Sequence, residues 1–535
     1  MNIRGGEHEP QRPDYFNMSK EDAREARRSY ERELKEYEKF VAQQLSFSSE
    51  AQLIFSHTPF FFYAHLLLPP PSLEVRFSIP TSPRFEGTWM IAPSGSGKTN
   101  ALLNLIGNDL ELVKQGKCSV VVIDSAGTAE GRFMHYLSRH ALFAPGQELH
   151  DKLVYLEPDV EHPLALNLFD VGQDRISRLS PNEKLEAANA AREMLKFVLS
   201  GLLGQELTKK QAGVFAYLVE AMLTIPEATV FTLGQLLEDA GYEKHRHHIL
   251  EMDEWARDFF EKRFRTPTYQ RGEATHKPKR HQYAATKLEI FNRIDQMLKD
   301  VMFRKMYSHK QNRLNMFENL QAGKVILINT NFRRLGRDGM EVFGRFMLAQ
   351  LYQAASQRLD VAEDKNLPVY VYIDECHQFL KDEPKIIELL DELARKNKIG
   401  FIFAHQRTDQ VSPAVLNAFS STAVRFASRN EKQDAAYVSS ALRVEPQTLL
   451  SLPVGTFASL VRGATDTALG LVRFPKILDR IPLMSEDAFA TVQKKMWKEY
   501  SGEEDPMPTM EAPPDSGAPE DKEFEDKEDD PYADD

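Results

Sequence analysis

The chain has 535 residues, room for roughly three units of about 150 residues each, and 42% of them are hydrophobic, enough for a sizeable buried core. Its formal charge of −12 would argue against a nucleic-acid partner, but Ser501–Asp535 alone holds 15 acidic and 2 basic residues, so the other 500 sit near +1. Two cysteines, Cys118 and Cys376, with no Cys-x-x-Cys pair, exclude a zinc site or a disulfide framework and fit a reducing, cytoplasmic compartment.

Residues 1–76 read as a helical or irregular segment. Within them, Met18–Ser46 combines strong helix formers with mixed charge, which predicts an exposed helix. The apolar stretch LIFSHTPFFFYAHLLLPPP is interrupted by His57, Pro59 and His65. A spanning helix needs about 20 uninterrupted apolar residues, so neither a membrane span nor a signal peptide is expected. Short apolar runs then alternate with helical patterns. Strands are predicted at Thr88–Ile91, Ser119–Ile123, Leu153–Leu156, Lys324–Ile328, Val369–Ile373, Gly400–Ala404 and Thr422–Ala427. Their unbroken apolar character suits a mostly parallel sheet covered on both faces, an α/β core over 77–174 and 323–500.

Between 175 and 322 the strand pattern stops. SPNE at Ser180, TKKQ at Thr208 and TLGQ at Thr232 each place Ser or Thr three residues before Glu or Gln, the spacing of a helix capping box, and predict an inserted all-α domain. This stretch also contains Lys262–Lys287, with eight basic residues, one glutamate and interleaved Phe264, Tyr269 and Tyr283. Its middle reads as a solvated loop, with base stacking on the aromatics as the functional alternative. His245, His247 and His248 lack metal-ligand spacing. Residues 501–535, rich in Pro, Asp and Glu, predict a disordered acidic tail.

The chemistry concentrates in the α/β core. APSGSGKT, Ala92–Thr99, follows a strand, precedes an amphipathic helix and matches a phosphate-binding loop except for Ala92 where glycine is usual. Gly95 and Gly97 let backbone amides wrap phosphates, and Pro93, Ser94, Ser96 and Asn100 complete the candidate nucleotide contacts. Lys98 would reach the β- and γ-phosphates of ATP, and Thr99 would ligate Mg2+. In LPVYVYIDECHQFL, Asp374 at the strand end would hold the magnesium and Glu375 would act as general base on water. His377 reads as a packing or hydrogen-bonding residue. Asp124, in VVVIDSAG, is either a ligand contact at a strand end or a cap for the next helix. NFRRLGRDG puts Arg333, Arg334 and Arg337 in a loop after the Lys324–Ile328 strand, suited to sequence-independent phosphate contacts.

The order APSGSGKT, VVVIDSAG, PLALNLFD, GKVILINTNFRRLG, VYVYIDECHQFL, LARKNKIGFIFAHQ and TAVRFASRN resembles the FtsK/HerA superfamily of DNA-pumping ATPases. Within it the chain is most similar to the TraG/TraD-like type IV coupling proteins of conjugation, over Phe77–Phe474. The resemblance implies a RecA-like P-loop core, a hexameric ring and DNA passing through a channel lined by Arg333, Arg334 and Arg337. It implies that Gln406 is the polar sensor of the γ-phosphate or water. An arginine entering the neighbouring subunit's site would be Arg395, with Arg429 as the competitor. It matches the helical insertion to the all-α domain of coupling proteins, and through that domain or the acidic tail it implies relaxase or secretion-channel partners. Two departures are plain: the transmembrane helices of many coupling proteins and the N-terminal β-barrel of HerA proteins are not expected here. Membrane anchoring would then be absent or come from a partner in a peripheral secretion complex. Other readings are an ATPase energising a protein-secretion channel, a HerA-like processing or defence motor, and a nucleotide-dependent assembly switch.

Overall fold

A computed structural model describes residues 78–127, 132–170, 180–203, 209–265, 283–463 and 467–502, with a few positions between 25 and 35. Of the helix expected over Met18–Ser46, Glu25, Arg27–Ser29, Glu31, Arg32 and Lys35 are described and helical. Thr208, Tyr269 and the acidic chain beyond Gly502 lie outside the described residues. The chain divides into two compact units, residues 1–157 with 315–499, and residues 158–314 with 500–535.

The first unit is built on one nine-stranded sheet in the order β3-β4-β2-β5-β6-β1-β7-β8-β9. The strands are β1 Thr88–Ile91, β2 Ser119–Asp124, β3 Leu153–Leu156, β4 Val325–Asn329, β5 Val369–Ile373, β6 Ile399–His405, β7 Val424–Ala427, β8 Thr456–Arg462 and β9 Thr467–Arg473. All seven sequence-predicted strands form, with no end moved by more than two residues, and in the sheet order from β3 to β7 they pair in parallel with one another. The antiparallel hairpin β8–β9 was not anticipated. It sits at the sheet edge, where β9 stays half-exposed, so it lacks the unbroken apolar run that betrays a strand buried on both faces.

Register brings the strand ends to a common edge. Ile91 pairs with His405 and with Ala427, Ile123 with Ile373, and Asp124 with Asn329. Whatever follows these residues therefore meets at the carboxyl edge of a parallel sheet, where open α/β folds bind ligands. The helices that matter to this edge are α1 Lys98–Lys114, α2 Phe332–Arg358, α3 Pro384–Asn397 and α4 Lys432–Leu442. A buried ion pair fixes α1 against β5: Arg84 donates to Asp109 on α1 at 2.8 and 2.6 Å, and Tyr372 on β5 donates to the same carboxylate at 2.6 Å. The guanidinium lies 3.4 Å above the Tyr370 ring, so its desolvation is offset by stacking as well as charge. A second close approach positions the chain after β5. The buried Phe379 ring presses on α2 at Gly344, where any β-carbon would overlap it.

In the second unit the regular elements among the described residues are helices, Pro181–Leu203, Lys209–Thr224, Val230–Leu236, Asp239–Ile249, Glu254–Phe259, Ala284–Lys299 and Val301–Met306 chief among them. Buried Leu199, Leu218, Met222, Leu236, Phe260 and Ile294 form its core. Ser180 directly precedes its helix as expected. The box placed at Thr232 is shifted by one turn: Thr229 is the cap and Thr232 its reciprocal partner inside the helix. Phe264 is fully buried beneath the Lys287 ammonium, 4.2 Å from its ring, and so is a core residue instead of a base-stacking one. Ser501 and Gly502 are ordered here, Ser501 bridging to Leu164 and Gly502 donating to Pro163 O at 3.2 Å. Ser501 and Gly502, placed in the tail by the sequence, are therefore part of the described structure.

Candidate nucleotide site

Chain leaving β1 turns sharply through Ala92–Gly97 before α1. Gly95 and Gly97 take φ of 77° and 103°, conformations that need glycine, and the space beside Gly95 is open for 4 Å. Ala92 is buried, keeps a negative φ and donates to His405 O at 3.1 Å, so the missing first glycine is tolerated. The turn is braced from two sides. Ser96 O accepts from Gly455 N at 2.9 Å, and a β-carbon on Gly97 would stand 3.1 Å from Gly455 Cα. Pro93 and Thr99 are half-buried, Ser94 is exposed, and Ser96 turns its hydroxyl to Pro93 O at 2.5 Å. Asn100 is spent elsewhere: it donates to Pro475 O at 2.7 Å and accepts from Ile477 N at 2.9 Å, tethering α1 to the chain after β9.

Lys98, the first residue of α1, is buried and reaches across to β5. Its ammonium lies 2.5 Å from Asp374 Oδ1 and also contacts the Glu375 carboxylate. Burial alone would lower the lysine pKa, but the two carboxylates overcome it and hold the ammonium protonated. Gln406, just past β6, donates to Glu375 Oε1 at 2.7 Å. Glu375 itself adopts φ 51°, left-handed and costly for a side-chain-bearing residue by about 1–3 kcal/mol, a strain that clusters at functional sites. Burial pushes the Glu375 pKa up, and Lys98 and Gln406 more than reverse that, so the group is an ionised base. Its Oε2 has no hydrogen-bond partner.

His377 belongs to this constellation, which the sequence did not reveal. Its Nε2 faces the side-chain amides of Gln378 at 3.1 Å and Gln410 at 3.4 Å, and its Nδ1 stands 3.4 Å from Glu375 Oε2. Amide donors on Nε2 would leave the proton on Nδ1, which makes no hydrogen bond among the described residues. Asp124 is also resolved. Its carboxylate is fully buried, accepts from Ala126 N at 3.2 Å and leaves Oδ2 without a partner; among the described residues the next helix begins at Phe133. Burial and the neighbouring Asp374 push its pKa up to about 7.

The fit to a magnesium nucleotide follows from these features. An open glycine turn at the start of a helix, a lysine, a half-buried threonine and two carboxylates, with unpaired oxygens on Glu375 and the neighbouring Asp124, form the donor set such a group requires. Beneath them, His405 is fully buried, accepting from Trp89 Nε1 at 2.8 Å and donating to Arg407 O at 2.9 Å. Burial lowers its pKa to about 4. The neutral ring is favoured, so its contribution is fully present above the unfolded value near 6.5 and is lost as pH falls through the window to about 4. The first unit is expected to lose up to about 3 kcal/mol across that window, with a flatter profile for His405→Gln, read by thermal melts against pH.

Among the described residues, the five candidate arginines make no hydrogen bond or ion pair with Asp374 or Glu375. Arg395 is exposed in the last turn of α3, and Arg429 is exposed two residues past β7. Arg333, Arg334 and Arg337 are exposed, but they lie in the helical start of α2, not in a loop. Gly336, with φ 66°, breaks that helix between the first two and Arg337, and Arg334 lies 3.9 Å from Glu157.

Topology and loop together define a RecA-like P-loop fold. Among solved structures, the unbound form of the bacterial conjugative coupling protein TrwB lacking its N-terminal region aligns with 74% of this chain and 87% of its own, at 13% identity and TM-score 0.49. TrwB in complex with ADP and Mg2+ aligns over 76% of this chain and 88% of its own, at 12% identity and TM-score 0.49. VirB4 of Thermoanaerobacter pseudethanolicus aligns over 73% and 89%, at 12% identity and TM-score 0.46. No protein-family model matches the sequence, and no curated protein does. No helix among the described residues is long and apolar enough to cross a membrane.

Proposed function

We propose that the chain is a Mg2+-dependent ATPase that assembles into a hexameric ring and drives DNA through it, a coupling-protein-like motor of conjugation, type IV secretion or a related mobile element. One observation carries the reading: Lys98, Asp374, Glu375 and Gln406 converge at a single sheet edge, with one oxygen of the glutamate unpaired. That is the equipment for hydrolysis, which a passive nucleotide switch does not need. Pro93–Thr99 would hold the phosphates, and Thr99 and Asp374 the magnesium, which supplies charge neutralisation at the phosphates. Lys98 would leave its carboxylates for the phosphates. Glu375, held by Gln406, would take the proton of the attacking water. The exposed Arg333 and Arg337 suit a polyphosphate cargo. The motif order shared with TraG/TraD-like proteins supports DNA as that cargo, and relaxase or channel proteins as partners of the helical unit or acidic tail, at the cytoplasmic side of a secretion complex.

The test is ATP turnover by the full chain with and without DNA over a salt series, alongside electron microscopy of the same samples. DNA-stimulated turnover that fades as salt rises, from ring-shaped particles, is the expected outcome. Turnover indifferent to DNA but stimulated by a membrane-complex partner would reassign the cargo to protein. Nucleotide-dependent assembly without turnover would leave a switch.

A further inference from the structure

The start of α2 is built unlike an ordinary helix entry. Asn331 takes φ 36° and Gly336 φ 66°, so residues 332–335 form one isolated turn between two left-handed positions. Leu335 anchors the turn in the core, while Phe332 stands 51% exposed beside the exposed Arg333, with exposed Arg337 just past Gly336. An aromatic ring left half-exposed on a fixed pedestal, flanked by guanidinium groups, lies outside the buried core.

The pedestal hangs from the strand that enters the nucleotide site. Thr330 donates through its amide to Asp124 O at 2.8 Å and through its hydroxyl at 3.3 Å, and Phe332 N donates to Ser125 O at 3.3 Å. Asn329 and Asn331 both donate to Glu157 Oε1, at 3.0 and 3.1 Å, which fixes the turn's orientation. Asp124 in turn sits beside Asp374, close enough to share its field. Contact with Phe332 thus has a short route toward the catalytic carboxylates through backbone hydrogen bonds to the end of β2.

We infer that Phe332 is the cargo-contacting residue of the motor, stacking on an unpaired base while Arg333 and Arg337 hold the flanking phosphates, and that this contact sets the stimulated rate. The inference rests on the DNA-motor reading above and adds a residue and a mode of contact to it. Charge alone accounts for the arginines; the ring selects a partner with an accessible π-face, which a polyanion without bases or a closed duplex does not offer. The ligand of Phe332 is therefore an unpaired nucleic-acid segment.

The experiment compares ATP turnover of the full chain stimulated by oligothymidylate, a closed hairpin duplex and heparin, for the wild-type, Phe332→Ala and Phe332→Trp proteins. Oligothymidylate is expected to stimulate the wild type well above the other two. Phe332→Ala is expected to raise its half-saturating concentration about tenfold or more with basal turnover unchanged, and Phe332→Trp to retain the response. Equal stimulation by heparin or duplex, or an unaltered response in Phe332→Ala, overturns the stacking contact and leaves the DNA-motor reading standing. A wild-type protein indifferent to every nucleic acid overturns that reading itself.

Discussion

Glu375→Gln is expected to lower ATP turnover by about a hundred- to ten-thousandfold while the protein still binds nucleotide, because the substitution keeps the shape of the side chain and removes only its basicity. The geometry adds a less obvious consequence. Lys98 is shared between Asp374 and Glu375 in this state, and Gln406 bonds the same glutamate. A lysine must abandon those carboxylates before it can serve a phosphate, so part of the intrinsic nucleotide affinity is offset by breaking two buried ion pairs. Removing the Glu375 charge removes one competitor. The variant should therefore bind ATP more tightly than the wild type while hydrolysing it far more slowly, measured by fluorescent-nucleotide titration and single-turnover hydrolysis. A wild-type rate in Glu375→Gln would rule out Glu375 as the base, and slow turnover with weakened binding would show that the residue acts in holding the nucleotide.

What the sequence made legible was the part where chemistry and local pattern coincide. The phosphate loop has to be contiguous, since its glycines, lysine and threonine act through one turn and one helix start. The Asp374–Glu375 pair announces itself because two acids end a run of five buried residues. Other members of the site were invisible for physical reasons. Histidine at position 377 matters only because the left-handed backbone at Glu375 and the pressure of Phe379 on Gly344 set the next turn close to the glutamate. Asp124 read equally well as a cap, and only pairing of β2 with β5 brings it beside Asp374. Asn100 follows the P-loop directly and read as a nucleotide contact, but the 474–477 segment, distant in sequence, claims its amide. Local patterns likewise misplaced the arginines after β4: strand, Asn and Gly suggested a loop, whereas the chain uses Asn331 and Gly336 as two left-handed hinges around a helical turn.

Arg395→Ala is expected to reduce turnover about a thousandfold, and mixing it with the equally inactive Lys98→Ala protein is expected to restore activity. Among the described residues, no arginine hydrogen-bonds or ion-pairs with Asp374 or Glu375, although a transition state rich in phosphate charge calls for one. Arg407 lies near the site but is drawn to Asp409 at 2.9 Å. If Arg395 acts on another copy, it would do so from an anchored helix: buried Ile386, Ile387 and Leu390 fix α3 to its own core, and Arg395 is exposed in the last turn. In a ring with head-to-tail contacts, each site would take its lysine from one subunit and its arginine from the next. An Arg395→Ala subunit then supplies a working lysine and a Lys98→Ala subunit a working arginine. At equal proportions and random order, about a quarter of the interfaces recover both, so activity near that fraction of wild type is the expected reading. Absence of recovery together with an inactive Arg395→Ala protein would place the arginine's role within its own chain. Recovery with Arg429→Ala in its place, and full activity of Arg395→Ala, would transfer the role to Arg429 at the end of β7.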